Sequence, residues 1–300
     1  MKFNVQDLID TGLVVAKEYP NGLKVLKYSK EVFFKSLWNT DPRLLECRGR
    51  VVDADWNVVV NPFAKVFNYL EQGAGKGLHP QCLVRVVYKV NGFLGCVTNT
   101  EKYGMLFSTT GTLDSEFSKL LEKKYREVET IPLQYGVTYM FEVCDKSDPH
   151  VVEEEEGLYL IGARTVEGQY YTEADLDWTA SVYGWKRPKH KLLPLNEVLQ
   201  LLKETKGEGF MVKNPMTDET HFKGKSDHYL TKKLLMRLGK GRVEQLFSKP
   251  EEFKRFIQDE EFFGFVDYLT NHIGSELWKG MTDQERRTLI ECWLSKNNIF

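Results

Sequence analysis

A chain of 300 residues is long enough to bury a sizeable core and points to one large domain plus a smaller one. Its 41 lysines and arginines against 43 acids leave a formal charge of −2, so no global basicity marks a nucleic-acid partner and any such site must be a local patch. Cys47, Cys82, Cys96, Cys144 and Cys292 form neither a CxxC pair nor a His–Cys ligand spacing, which argues against structural zinc and a disulfide framework and for a reducing, cytoplasmic compartment. Met1–Val5 lacks a signal peptide's apolar core, and no apolar run approaches bilayer length, so no membrane partner is expected.

From the N-terminus to about residue 88, short strands mix with one or two helices. Leu23–Tyr28 alternates as a strand does, and Arg50–Val60 reads as a hairpin turning near Asp55 to Asn57. Strands dominate from about 84 to 227, predicted at 84–90, 93–98, 104–109, 137–144, 157–164, 208–213 and 219–224. Asn91–Gly92, between the first two, is the signature of a tight hairpin turn. Helices are predicted over 114–127 and 195–204, the second with Leu195, Val198, Leu199 and Leu202 in one stripe and Asn196 as a candidate cap. Beyond about 229, Leu234, Leu235, Leu238, Phe253, Phe256, Ile257, Phe262, Phe263, Val266 and Leu269 recur at helical spacing and no strand-like run remains. The expected class is α+β: residues 1–228 as antiparallel sheets with flanking helices, 229–300 as a small all-helical domain. The acidic run Glu153–Glu156 reads as a solvated loop tip.

Lys89 ends an apolar alternating stretch just before the Asn91–Gly92 turn. A lysine held by a strand and backed by apolar side chains is where an amine can be desolvated and used as a nucleophile. Its candidate companions are Arg48 and Lys65 upstream, Glu142 inside an apolar run, Glu208 opening another, and Lys223 and Lys225, which strand alternation puts on one face. Taken alone, Arg48 and Lys65 read as surface charges, and position alone does not decide whether Glu142 faces solvent or a site. Two lysines on one face repel unless an anion lies between them. Lys232, Lys233, Arg237, Lys240 and Arg242 extend a basic stripe downstream, readable as a solvated helix face or as a track for a phosphate backbone. A lysine nucleophile, two carboxylates and a set of cations are what nucleotidyl transfer needs. At neutral pH only about one free lysine in a thousand is an amine, and lowering its pKa by roughly three units takes about 4 kcal/mol. Cations and a bound metal push that way.

The order of these segments resembles the covalent nucleotidyltransferase superfamily of polynucleotide ligases and capping enzymes. Lys89-Val90-Asn91-Gly92 resembles its KxDG nucleophile motif, and Phe107–Gly111 stands where the next motif does. Phe141-Glu142, Leu158–Ile161, Glu208–Val212 and Phe222–Lys225 are similar to those that follow. Glu46–Gly49, Lys65–Asn68 and His221–Asp227 narrow the likeness to the ATP-dependent single-strand RNA ligases of T-even-type phages, over residues about 25 to 230.

The resemblance implies a nucleotidyltransferase fold and an ATP-dependent RNA ligase. Lys89 takes AMP from ATP, the adenylate passes to an RNA 5′-phosphate, and a 3′-hydroxyl displaces AMP. It further implies that Lys223 and Lys225 contact the α-phosphate, that Arg48 and Lys65 grip the β- and γ-phosphates, and that Glu142 and Glu208 serve ribose and metal. Phe210 and Met211 are the candidates to pack adenine, and Asn91 borders the nucleotide. Mg²⁺ is the implied metal, with Mn²⁺ as a substitute. The implied partner is RNA, a cleaved tRNA among the candidates, met by a monomer in the cytoplasm (the host's, for a phage protein). The helical tail does not resemble the β-barrel that follows the core in DNA ligases and capping enzymes. Asn91 replaces the motif's aspartate, and Thr110 stands where related ligases carry lysine. Asn91 is expected to keep the protein active; an adduct forming only after Asn91→Asp would undo that. A nick-sealing ligase and a catalytically inactive RNA-end-binding protein are the alternatives.

Overall fold

The computed structural model describes residues 1–128, 131–148 and 150–297. In chain order these hold α1 (Gln6–Asp10), β1 (Val14–Glu18), β2 (Lys24–Tyr28), α2 (Lys30–Phe34), α3 (Arg43–Glu46), β3 (Arg48–Val52), β4 (Val58–Val60) and β5 (Leu83–Tyr88). They continue with β6 (Phe93–Thr100), β7 (Gly104–Thr109), α4 (Glu116–Val128), β8 (Val137–Cys144), β9 (Gly157–Thr165), α5 (Glu173–Tyr183), β10 (His190–Pro194), α6 (Leu195–Glu204), β11 (Gly209–Lys213) and β12 (Thr220–Lys225). Helices alone follow among the described residues: α7 (Asp227–Met236), α8 (Lys240–Ser248), α9 (Pro250–Phe253), α10 (Phe263–Tyr268), α11 (Ser275–Gly280) and α12 (Asp283–Lys296), with short 3-10 and π turns between them. None is long and apolar enough to cross a membrane. The α+β class with antiparallel sheets is as expected.

The chain forms two compact units, one of residues 1–67, 92–146 and 155–189, the other of 68–91, 147–154 and 190–300. The first holds two antiparallel sheets, β1-β2-β3-β4 and β7-β6-β8-β9. Val25, Val51 and Val60 of one sheet share a core with Cys96 and Met140 of the other. Every residue of β8 is buried, because alternation sends Tyr139, Phe141 and Val143 toward Leu121 and Tyr125 of α4 and Leu176 of α5. Thr138 points the other way, its hydroxyl accepting from the Asn61 amide at 2.8 Å. The hairpin at Asp53–Asn57 forms as predicted, with Asp53 Oδ1 accepting from the Asp55 and Asn57 amides.

The second unit holds the sheet β10-β5-β11-β12. Leu195, Val198 and Leu202 of α6 cover one face of it, against Val84, Val86, Phe210, Val212 and Phe222. A Cβ on Gly224 would sit 2.5 Å from Leu202 Cδ1, so any side chain there would force Leu202 of α6 to move. Helices α7–α12 form their own core around Leu246, Phe253, Phe265, Trp278 and Ile290, which Val151 joins from the 147–154 segment.

Several expectations are corrected. Asn91–Gly92 makes no hairpin: β5 pairs with β10 and β11, whereas β6 pairs with β7 and β8. A turn dipeptide sets only the local bend, and the exits of its strands are set by the sheets that bury them. Strand β5 ends at Tyr88, so Lys89 lies just past it. Helix α6 starts from Pro194 with no side-chain cap, so Asn196 does not cap it. Strands β1 and β10 and helix α5 were not anticipated.

Candidate active site

Register places the lysines. Phe210 pairs with Tyr88 and Met211 with Val87, and the Lys89 amide donates to the Gly209 carbonyl at 2.9 Å, continuing that ladder one step beyond β5. Across the next pair Gly209 faces Lys225 and Met211 faces Lys223. Residues opposite one another share a face, so Lys89, Met211, Lys223 and Lys225 emerge on the face away from α6. Phe210 lies on the other face, fully buried in the α6 core with its ring 5.1 Å from that of Tyr88. The expectation that Phe210 packs adenine is corrected; of the two candidates only Met211, half-buried, shares the lysine face.

Glu208 joins the cluster. Gly209 has φ +131°, and a Cβ there would meet the Gly224 carbonyl oxygen at 2.2 Å. The chain can therefore swing tightly into β11 and bring Glu208, only 3 % exposed, against two ammonium groups. Its Oε2 lies 3.0 Å from Lys89 Nζ and its Oε1 3.0 Å from Lys225 Nζ. Burial pushes the Glu208 carboxyl up, but Lys89 and Lys225 outweigh it and hold the group below the ordinary carboxylate range. A carboxylate held in its charged form between two ammonium groups is their counter-ion.

Asn91 completes the arrangement. Its Nδ2 donates to Glu208 Oε2 at 2.8 Å, its Oδ1 accepts from the Val152 amide at 2.9 Å, and its own amide donates to Glu154 Oε1 at 3.1 Å. An amide supplies both a donor and an acceptor, which a carboxylate cannot. Asn91→Asp sets a second carboxylate against Glu208. One of the pair is then forced above its ordinary pKa, so the destabilisation is smallest at acid pH and grows as pH rises. We expect a loss of about 1–3 kcal/mol at neutral pH, read as a melting-temperature difference from wild type that is larger at pH 8 than at pH 5.

Tyr229 on α7 closes the cluster and was not foreseen. Lys225 Nζ lies 4.8 Å over its ring, and burial, followed by the Glu208 charge, pushes its hydroxyl up to about 12. Burial, with Lys225 and Arg237 nearby, lowers the Lys233 ammonium below its ordinary value. Three members of the basic stripe make contacts within the helical region. Lys232 is buried against Glu291 at 2.7 Å, Arg237 reaches Asp283 at 3.4 Å, and the Arg242 guanidinium stacks 3.7 Å from the Phe256 ring.

The acidic run is solvated only in part, Glu153 and Glu155 being exposed. Glu154 holds Asn91, while Glu156 accepts from the Lys146 amide at 3.0 Å and Glu155 pairs with Lys186 at 2.6 Å. Arg287 of α12, nearly buried, donates to the His150 carbonyl at 2.9 Å, and so ties the segment that supplies Val152 to the helices. Arg287→Ala is expected to cost about 1.5–3 kcal/mol, the range for losing a hydrogen bond made by a charged group. The accompanying sign is faster hydrogen exchange at the Val152 amide.

Arg48, Lys65 and Glu142 belong to the first unit. Glu142, 8 % exposed on β8 opposite Leu94 and Tyr159, accepts from the Gly92 amide at 3.0 Å. Lys65 Nζ lies 5.2 Å from the Trp38 ring and 5.0 Å from that of Phe67. Arg48 opens β3, followed by Gly49 with φ +91°, where a Cβ would meet Thr110 Cα at 2.7 Å. Thr110 thus packs its backbone onto Gly49. Glu46 is engaged by Arg164 at 2.7 Å and 3.0 Å and by Arg50, a structural pairing. The predicted site residues therefore fall into two sets, with Lys89, Asn91, Glu208 and Lys225 in direct contact within the second unit.

Residues 46–233, more than half of the chain, match the sequence model of a family described as RNA ligase. No curated protein matches. Among solved structures, an archaeal ATP-dependent RNA ligase (form 1) aligns with a TM-score of 0.57 at 14 % identity, over 94 % of this chain and 74 % of its own. A candidate ATP-dependent DNA ligase from Aquifex aeolicus aligns at 0.55 and 15 %, over 96 % and 77 %. At such identities the likeness shows the fold, that of the ATP-dependent ligase nucleotidyltransferases.

Proposed function

The chain belongs to the RNA ligase family, and we propose that it joins RNA 5′-phosphate and 3′-hydroxyl ends with ATP, through AMP carried on Lys89. The contact of Glu208 with both Lys89 and Lys225 carries this reading. Three ammonium groups, those of Lys89, Lys225 and Lys233, gather around this one buried carboxylate, and such a surplus of positive charge suits a polyanionic nucleotide.

In the first step Lys89 gives up its proton to solvent. The free amine attacks the α-phosphorus, a P–N bond forms, and the bond to pyrophosphate breaks. Lys223 and Lys225 meet the charge that develops on the α-phosphate, and Arg48 and Lys65 hold the leaving pyrophosphate. A 5′-phosphate oxygen of RNA then takes the adenylate from Lys89, and a 3′-hydroxyl displaces AMP. Glu142 and Glu208 would be the groups to hold Mg²⁺ or Mn²⁺, which would supply positive charge beside the phosphates. Both oxygens of Glu208 are engaged by Lys89, Asn91 and Lys225 in this structure, so Glu208 would hold a metal only in exchange for one of these partners. Residues 229–300 are proposed as a helical accessory domain for a structured RNA, a cleaved tRNA being one such substrate.

The test is incubation of 5′-labelled single-stranded RNA bearing a 3′-hydroxyl with ATP and Mg²⁺, beside a nicked duplex at matched salt. The expected products are an adenylylated strand and a phosphatase-resistant circle. Sealing confined to the nicked duplex would replace this reading with a nick ligase. RNA binding without any covalent AMP would replace it with an inactive end-binding protein.

A further inference from the structure

A groove of about 420 Å³ opens in the first unit, lined by Lys27, Lys30, Phe33, Phe34, Arg48 and Thr110 and by no carboxylate among the described residues. It has two independent peculiarities. Lys27, Lys30 and Arg48 have no acidic partner among the described residues, in a chain where ion pairs are otherwise common. Phe33 and Phe34 are 50 % and 78 % exposed, although each is a large apolar side chain. Their rings stand edge to face, 5.5 Å apart.

The local fold explains how the pair is displayed. Ser29 caps α2 by accepting from the Val32 amide, and Val32 alone of the five helical residues is buried. That single anchor leaves the following Phe33 and Phe34 facing outward. Adjacent exposed rings are unfavourable in water unless something covers them. The covering molecule must present flat apolar faces to the rings and negative charge to the cations. Unpaired nucleobases on a phosphate backbone do both, whereas a duplex hides its base faces.

We propose that this groove is a binding site for a single-stranded segment of the RNA substrate, with bases stacked on Phe33 and Phe34 and phosphates on Lys27 and Lys30. The proposal rests on the RNA ligase reading and adds to it where the strand is held.

The test uses the full chain with Phe34→Ala, Phe34→Trp and Lys30→Ala. Two quantities are measured: the Kd for a fluorescent single-stranded RNA over a salt series, and the rate of AMP-adduct formation without RNA. Phe34→Ala is expected to raise the Kd about tenfold, within the range for losing one stacked base, and Phe34→Trp to restore it. Lys30→Ala is expected to flatten the salt dependence by about 0.7 in the log–log slope, the increment for one phosphate contact to a single strand. Adduct formation stays at the wild-type rate in all three, showing that they are folded. Unchanged RNA affinity in Phe34→Ala and Lys30→Ala overturns the proposal. So does inorganic polyphosphate losing as much affinity as RNA in Phe34→Ala, since stacking is then not used. Adduct formation that falls in parallel with RNA binding also overturns it, by assigning the groove to the nucleotide. A wild type that binds RNA through Phe34 but seals no ends leaves the groove standing and removes the ligase reading.

Discussion

Glu208→Ala is expected to lower AMP-adduct formation by roughly 10²–10³-fold and to destabilise the protein by about 3–5 kcal/mol, the range for removing one partner of a buried ion pair. Lys89 and Lys225 both lean on this carboxylate at 3.0 Å, with only 22 % and 19 % of their side chains exposed. Without it two ammonium groups face each other across little water, and Asn91 Nδ2 loses its acceptor. Glu208→Gln separates the two effects. It keeps the shape and an acceptor for Asn91 but removes the charge, so it is expected to recover part of the stability and little of the activity. Measurement of melting temperature beside the adduct rate distinguishes them.

The same carboxylate gives the wild type a pH signature. Its folded pKa is depressed, so its contribution is complete above the ordinary value of about 4.3 and is lost as pH falls through the folded value. Glu208→Gln lacks that step. A melting-temperature profile falling identically for both proteins below pH 4 contradicts the placement of this charge.

Much of the arrangement was legible because strands keep a period of two. That rule put Lys223 and Lys225 on one face before any pairing was known, and the ladder from Met211 to Lys223 agrees. The same rule applied to Phe210 and Met211 separates them, since neighbours on a strand point to opposite faces; a pair of adjacent residues could not both reach one base. What sequence hides is partner choice. Asn91–Gly92 reads as a hairpin because turn chemistry is local, whereas the pairing of β5 with β10 and β11 joins residues about a hundred positions apart.

Strand β10, His190–Pro194, carries charge and a proline as an edge strand can, and so lacks an apolar run. Helix α5 escapes because its apolar residues are scattered and Trp178 is 69 % exposed. Its ends were nonetheless marked, by the Thr172–Asp175 capping box and by Gly184 at φ +71°. Tyr229 and Arg287 were out of reach, since nothing in a helical stripe says which residue faces a distant lysine.

We propose that Lys89 is the nucleophile. Lys89→Ala removes the amine and leaves Glu208 held by Lys225 and Asn91, so a folded but inactive protein is expected. Lys89→Arg keeps the positive charge beside Glu208, but a guanidinium does not surrender its proton near neutrality, so it too is expected to form no adduct. The most direct measurement is incubation of wild type and both variants with α-labelled ATP and Mg²⁺, followed by denaturing electrophoresis. Label resistant to SDS is expected on the wild type, with a loss of at least about 10³-fold in Lys89→Ala and Lys89→Arg, as when the group that forms the covalent bond is removed. Label persisting on Lys89→Ala would contradict that assignment.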